Sequence, residues 1–216
     1  MRFILFDVDG TLVDSQAHIV GSMEAAFRSL GLTPPSRKET LSIVGLSLPQ
    51  AMGVLAPDAP NATLVEAYKD AYQTLRSSHG EASASPLFPG IRGLLDRLKA
   101  QDETLLGVAT GKSRRGLDHL IETHGLESYF VTLQNADGHP SKPHPSMALA
   151  ALADAGLETG VMVGDTTFDL EMGRAAGMTA VAVSWGYHPA SLLHPLAHRV
   201  VDDVTALEQA LNEVCP

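Results

Sequence analysis

The chain predicts an α/β fold: a parallel sheet core flanked by helices, with a helical domain inserted after the first strand. Short apolar runs recur at Phe3–Val8, Leu105–Ala109, Tyr129–Leu133, Val161–Val163 and Thr179–Val183, with helical patterns between most of them. That alternation builds parallel sheets. Several runs end in polar, glycine-bearing turns, namely Asp9-Gly10-Thr11, Thr110-Gly111-Lys112-Ser113 and Gly164-Asp165-Thr166. Open α/β sheets bind ligands at such carboxyl strand ends. About ninety residues separate the first run from the second and read as helix throughout, far beyond an ordinary crossover.

Within that interval, Ile19, Met23, Phe27 and Leu30 keep helical spacing and stop at Gly31. Leu64, Tyr68, Ala71, Tyr72 and Leu75 do so after the Pro57–Pro60 break. The inserted segment leaves the sheet near Asp14 and returns near Pro86, Pro89 and Gly90, which makes the two connecting strands the expected hinges. The division is therefore a core of 1–14 and 86–216 with an insertion of 15–85. Beyond the second strand, Leu117, Leu120 and Ile121 form a helical face ending at Gly125. Met147–Ala155 forms another ending at Gly156, where glycine suits a left-handed C-cap. A last helix starting near Asp203 carries Leu207, Leu211 and Val214.

Composition narrows the function. With 216 residues the chain can bury a substantial core. Its 25 acidic and 15 basic side chains give a formal charge of −10 without blocks of like charge, which disfavours nucleic acid and anionic membranes as partners. The single cysteine, Cys215, forms no internal disulfide, which fits a reducing compartment. With neither an export signal nor a membrane-length apolar stretch, the expected location is the cytoplasm.

The chemistry concentrates at the strand ends. Asp7 and Asp9 stand two positions apart where the first strand meets a glycine turn, and continued strand geometry aims both carboxylates into one space. A hard divalent cation relieves such crowding and shields an incoming phosphate; an Asx-type turn is the plainer use of the same residues. Thr110 with Gly111 offers a hydroxyl and backbone N–H groups for phosphate oxygens, or an ordinary helix N-cap. Lys142, framed by prolines in Ser141-Lys142-Pro143-His144-Pro145, presents an ammonium at reduced entropic cost, although most lysines are simply solvated. Asp165 and Asp169, in Gly164-Asp165-Thr166-Thr167-Phe168-Asp169, supply a second pair of acids; alone, each also fits a helix start.

In order, the segments DVDGT, strand-end Thr110, Lys142 before a helix, and GDTTFD resemble the four motifs of the haloacid dehalogenase superfamily. The insertion resembles the α-helical cap of its phosphoglycolate phosphatase-like branch, as do DGTLVDS, FPG, SKPHP, Gly173-Arg174-Ala175-Ala176-Gly177 and Trp185-Gly186-Tyr187. The resemblance implies a Rossmann-like core, with Asp7 attacking phosphorus to form an aspartyl-phosphate and Asp9 acting as acid and then base. It implies Mg²⁺ held by Asp7, the Asp9 backbone carbonyl and Asp165, with Asp169 acting through water or by orienting the site. Thr110 and Lys142 would stabilise the transferred group. Asp9, which dehalogenating relatives lack, favours phosphate esters. Gly45-Leu46-Ser47 resembles the branch's substrate-contacting loop, with Arg37 and Lys38 as candidate partners for an anionic substrate.

The expected substrate is a small phosphomonoester, phosphoglycolate first, and the expected assembly a monomer or homodimer. Inorganic pyrophosphate hydrolysis, a phosphosugar mutase and a non-catalytic binding protein are the alternatives. Against the mutase, His18 lies one residue short of the expected cap histidine. Gly107–Ser113 falls one residue short of a P-loop, Pro195 separates His194 from His198 and argues against zinc, and Trp185 and Tyr187 suit packing better than base stacking.

Overall fold

Six strands pair in parallel in the order β3-β2-β1-β4-β5-β6: β1 (Arg2–Phe6), β2 (Thr104–Ala109), β3 (Thr132–Gln134), β4 (Val161–Gly164), β5 (Thr179–Val183) and β6 (Arg199–Val201). This is a computed structural model, and it describes residues 1–79 and 85–214. Residues 80–84 of the expected insertion, and Cys215, lie outside the described residues.

The chain runs outward from β1 through β2 to β3, then returns to lay β4 on the other side of β1, so strand order reverses beside β1. Clefts open at such reversals. Phe6 stands opposite both Val108 and Val163, which brings the ends of β1, β2 and β4 to one level. Asp7, Thr110 and Asp165 therefore emerge along one edge of the sheet.

The period of two along β1 sorts its side chains between two cores. Ile4 and Phe6 join Leu106, Val108, Val163 and Val183 on one face, while Phe3 and Leu5 join Met162 on the other. Within the insertion the described residues form α1 (Gln16–Ser29), α2 (Arg37–Ser42), α3 (Leu48–Leu55) and α4 (Asn61–His79). They bury Met23, Phe27, Ile43, Met52, Leu64 and Val65 in a cluster of their own, separate from the sheet. The first sheet face is covered by α5 (Ile91–Lys99), α6 (Arg114–Thr123) and α10 (Val204–Val214), through Leu94, Leu95, Leu117, Leu207 and Leu211. The opposite face carries α7 (Ser146–Ala155) and α8 (Thr167–Ala175), through Met147, Ala151 and Met172. A short α9 (Ala190–Leu193) closes the β5–β6 connection by packing Leu193 near Leu170.

The two crossings between sheet and insertion lie side by side. Asp14 N–H donates to the Pro86 carbonyl at 2.8 Å and Phe88 N–H to Leu12 at 3.0 Å, with Val13 and Leu87 bridged antiparallel. Two details differ from the sequence expectation. β3 starts at Thr132, because Tyr129 packs instead beneath the Lys99 ammonium, 4.4 Å from its ring centre. Edge strand β6 has only three residues, too short to stand out as an apolar run. Among the described residues no helix is long and apolar enough to cross a membrane.

Candidate active site

At the end of β1, the Asp7 side chain meets Lys142 in the interior. The Lys142 ammonium, fully buried, donates to Asp7 Oδ1 and Asp169 Oδ1 at 2.6 Å each and to the Ala109 carbonyl at 2.9 Å. All three of its donors are used. Burial works to lower the Lys142 pKa, but the carboxylates of Asp169 and Asp7 overcome it and the net shift is upward, so the ammonium is permanent.

Asp165 is held at the end of β4 by contacts that tolerate no extra atom. Thr11 Oγ1 donates to its Oδ1 at 3.0 Å and the Tyr187 N–H to its Oδ2 at 2.8 Å. Glycine is required on both sides. A Cβ on Gly10 or Gly186 would lie 2.2 Å from Asp165 Oδ2, and Gly10 also has φ +89°, a left-handed conformation open to glycine. Asp169 closes a capping box at the start of α8, where Oδ2 accepts from the Thr166 N–H at 3.1 Å and from Thr166 Oγ1 at 2.6 Å. Thr166, not Asp165, is the N-cap.

Asp7, Asp165 and Asp169 are buried with candidate ligand oxygens within 4.8 Å of one another. Burial, opposed by Lys142 and reinforced by Asp169 and Asp9, pushes the Asp7 carboxyl up to about 7. Asp165 is raised well above the ordinary carboxylate range by burial and by the charges of Asp7 and Asp169. One lysine cannot neutralise three carboxylates, and Asp7 Oδ2 is a buried oxygen with no hydrogen-bond partner among the described residues. An all-oxygen, excess-negative pocket with one lone acceptor fits a hard divalent cation.

Asp9 answers to different partners. The strand stops at Phe6, so the alternation does not carry the Asp9 carboxylate into the acidic trio. Its Oδ1 accepts from Ser15 Oγ at 2.5 Å and from Lys112 at 2.9 Å, while Tyr187 Oη lies 3.0 Å from Ser15 Oγ. Asp7 and Asp9 nonetheless line the same cavity of about 790 Å³, between the sheet edge and the helical insertion. Thr110 and Gly111 line it too. Thr110 Oγ1 accepts from the Lys112 N–H at 3.2 Å, and the helix cap falls to Ser113, which accepts from the Gly116 N–H. Gly111 packs under the loop after α2: a Cβ there would lie 2.6 Å from the Leu46 carbonyl oxygen and 2.8 Å from that of Gly45. The loop is pinned twice more, by Ser47 N–H on Ser141 Oγ at 2.8 Å and by His188. His188 Nδ1 accepts from the Thr167 N–H, which leaves Nε2 to donate to the Ser42 carbonyl at 3.2 Å.

Asp7, Asp9, Thr110, Gly111, Gly45 and Leu46 thus line one cavity, while Lys142, Asp165 and Asp169 are buried beside Asp7 and outside its lining. Arg37 and Lys38 are in neither place: both are exposed on α2 and absent from the cavity lining, because the capping box of Ser36 with Glu39 fixes this helix with those side chains outward. The lysines and arginines lining the cavity are Lys69, Arg76, Lys112 and Arg115. Ser15, Lys112, Tyr187 and His188 were missed as site residues. Ser15 ends the DGTLVDS segment, Lys112 stands two places after Thr110 and Tyr187 falls within Trp185-Gly186-Tyr187, whereas His188 stood in no quoted motif. His194 and His198 are exposed and outside the acidic trio.

A family model described as haloacid dehalogenase-like hydrolase matches residues 4–183. "Probable phosphatase IndB" of Dickeya dadantii is 37% identical over 205 residues, covering 93% of this chain and 88% of that protein. A phosphoglycolate phosphatase of Agrobacterium fabrum is 29% identical, covering 97% of this chain and 91% of its own length. The crystal structure of a hydrolase from Pseudomonas syringae superposes with a TM-score of 0.86 over 100% of both chains at 23% identity, a likeness of fold. With Asp7, Lys142, Asp165 and Asp169 gathered beside the Thr110 strand end and the family pattern running over residues 4–183, the chain belongs to the haloacid dehalogenase-like hydrolases.

Proposed function

We propose that the chain is a Mg²⁺-dependent phosphatase that hydrolyses small phosphomonoesters through an aspartyl-phosphate on Asp7. The observation that carries this reading is the buried trio of Asp7, Asp165 and Asp169, with Lys142 joining Asp7 to Asp169 and Asp7 lining the cavity beside the helical insertion. Asp7, the Asp9 backbone carbonyl and Asp165 would hold the cation, and Asp169 would orient the site through Lys142 and Thr166. When bound, Mg²⁺ supplies positive charge that offsets the carboxylates and the transferred phosphoryl oxygens.

In this reading the Asp7 carboxylate forms a bond to phosphorus as the bond to the leaving oxygen breaks, and Asp9 gives that oxygen its proton. Water then attacks phosphorus and yields its proton to Asp9, which frees Asp7 and releases phosphate. Lys142 keeps Asp7 oriented, Thr110 and Gly111 meet phosphoryl oxygens, and residues 15–85 close as a cap whose Gly45–Leu46 loop excludes water. The phosphoglycolate phosphatase names among the relatives support a small acidic ester as first substrate. His18 supports a hydrolase over a mutase: its Nε2 lies 2.8 Å from the Tyr72 carbonyl and its ring stacks on Tyr72 at 4.0 Å, which ties it into packing of the insertion.

The test is release of phosphate from p-nitrophenyl phosphate. Turnover should vanish with chelator, return with Mg²⁺, and fall at least about a thousandfold in Asp7→Asn. Undiminished turnover in that variant would refute the nucleophile assignment.

A further inference from the structure

Two lysines stand at this cleft, and they are used differently. Lys142 has each ammonium hydrogen committed, to two carboxylates and one carbonyl. Lys112 gives one hydrogen to Asp9 at 2.9 Å and has Tyr72 Oη at a long 3.5 Å, with no third partner among the described residues. Its side chain is only 12% exposed, and it lines the cavity. A nearly buried ammonium with an uncommitted donor is costly unless a ligand completes it. The sheet core and the insertion meet at this atom: Lys112 follows β2, and Tyr72, whose ring centre lies 5.5 Å from Nζ, belongs to α4 of the insertion.

We propose that Lys112 is a specificity-determining residue that binds a second anionic group of the substrate, a carboxylate borne one carbon from the ester oxygen. The inference rests on the phosphatase reading above, in which Asp9 protonates the leaving oxygen. An atom in hydrogen-bond contact with Asp9 then lies within roughly 5–6 Å of that oxygen. A carboxylate on the carbon bonded to the ester oxygen spans about 3–4 Å of that distance, so it reaches Nζ without displacing Asp9. Lys112 would then hold two carboxylates, as Lys142 already does.

The experiment compares 2-phosphoglycolate with 2-hydroxyethyl phosphate, in which a neutral hydroxymethyl replaces the carboxylate, in the wild type, Lys112→Met and Lys112→Arg. A charge-assisted hydrogen bond is worth about ten- to a hundredfold in binding. The wild type should therefore show a KM at least about tenfold lower for the acid. Lys112→Met should collapse that ratio toward one, and Lys112→Arg should retain part of it. Equal losses on both esters in Lys112→Met would mean that the lysine acts only through Asp9, and would overturn the proposal. So would a wild type that does not discriminate, a result that needs no variant to fold. If p-nitrophenyl phosphate, 2-hydroxyethyl phosphate and 2-phosphoglycolate are all left intact, it is the phosphatase reading that has failed.

Discussion

Asp7→Asn should abolish turnover and at the same time stabilise the metal-free protein at alkaline pH. Burial raises the Asp7 carboxyl from its ordinary 3.8 to about 7, even though Lys142 sits 2.6 Å away. The unfolded chain has released this proton by about pH 5, whereas the folded chain keeps it until about pH 7. Across that window the folded state binds more protons, so its stability falls as pH rises, and the full cost stands above about pH 7. A gap of about three pH units at 1.4 kcal/mol each amounts to about 4 kcal/mol. For a chain of this size that corresponds to a melting shift of order ten degrees. Asparagine mimics the neutral acid and escapes the penalty. Thermal melts in chelator at pH 8 and pH 5.5 provide the assay: the variant should melt above the wild type at pH 8, with a smaller gap at pH 5.5. Saturating Mg²⁺ should stabilise the wild type more than the variant. An Asp7→Asn protein that melts below the wild type in chelator at pH 8 would show that Lys142 already satisfies Asp7 and that no cation is needed.

Lys142→Met leaves Asp7 and Asp169 buried and facing each other without their shared cation, a loss of about 3–5 kcal/mol measurable by denaturant unfolding in chelator and partly recovered with Mg²⁺. Gly111→Ala drives a methyl group to 2.6 Å from the Leu46 carbonyl oxygen and should weaken closure by about 1–3 kcal/mol, seen as a lower kcat/KM with a melting point within a few degrees of the wild type. Gly186→Ala places a methyl group 2.2 Å from the Cβ of Asp165 and should lower Mg²⁺ affinity at least about tenfold by titration calorimetry, with the circular dichroism spectrum retained.

Much of this site was legible because it is built from local signals. Apolar runs announce β1, β2, β4 and β5, since buried parallel strands need them, and a glycine within a few residues of each run marks the turn beyond the strand end. Asp7, Thr110, Lys142, Asp165 and Asp169 stood out as candidates by residue type and position, each with an ordinary structural use beside the chemical one. Edge strand β6 could not, because Arg199–Val201 is half solvated and too short to need a continuous apolar run. The Asp9 side chain was misdirected, since the period-two rule ends with the strand and its carboxylate then follows Ser15 and Lys112. Arg37 and Lys38 carried the right charge on the wrong side of α2, a short helix whose orientation no local spacing fixes.

By itself, then, the sequence determined the fold class, the helical insertion and the inventory of acids, hydroxyl and lysine that phosphoryl chemistry requires, all properties encoded within a few neighbouring residues. Tertiary structure alone decided that Lys142 is spent on Asp7 and Asp169 while Lys112 keeps a donor facing the cleft, and that Gly10 and Gly186 clasp Asp165. Those relations join residues carried by different elements, Lys142 with Asp7 and Gly10 with Asp165 among them, and their geometry comes from strand order and register, which no local pattern carries.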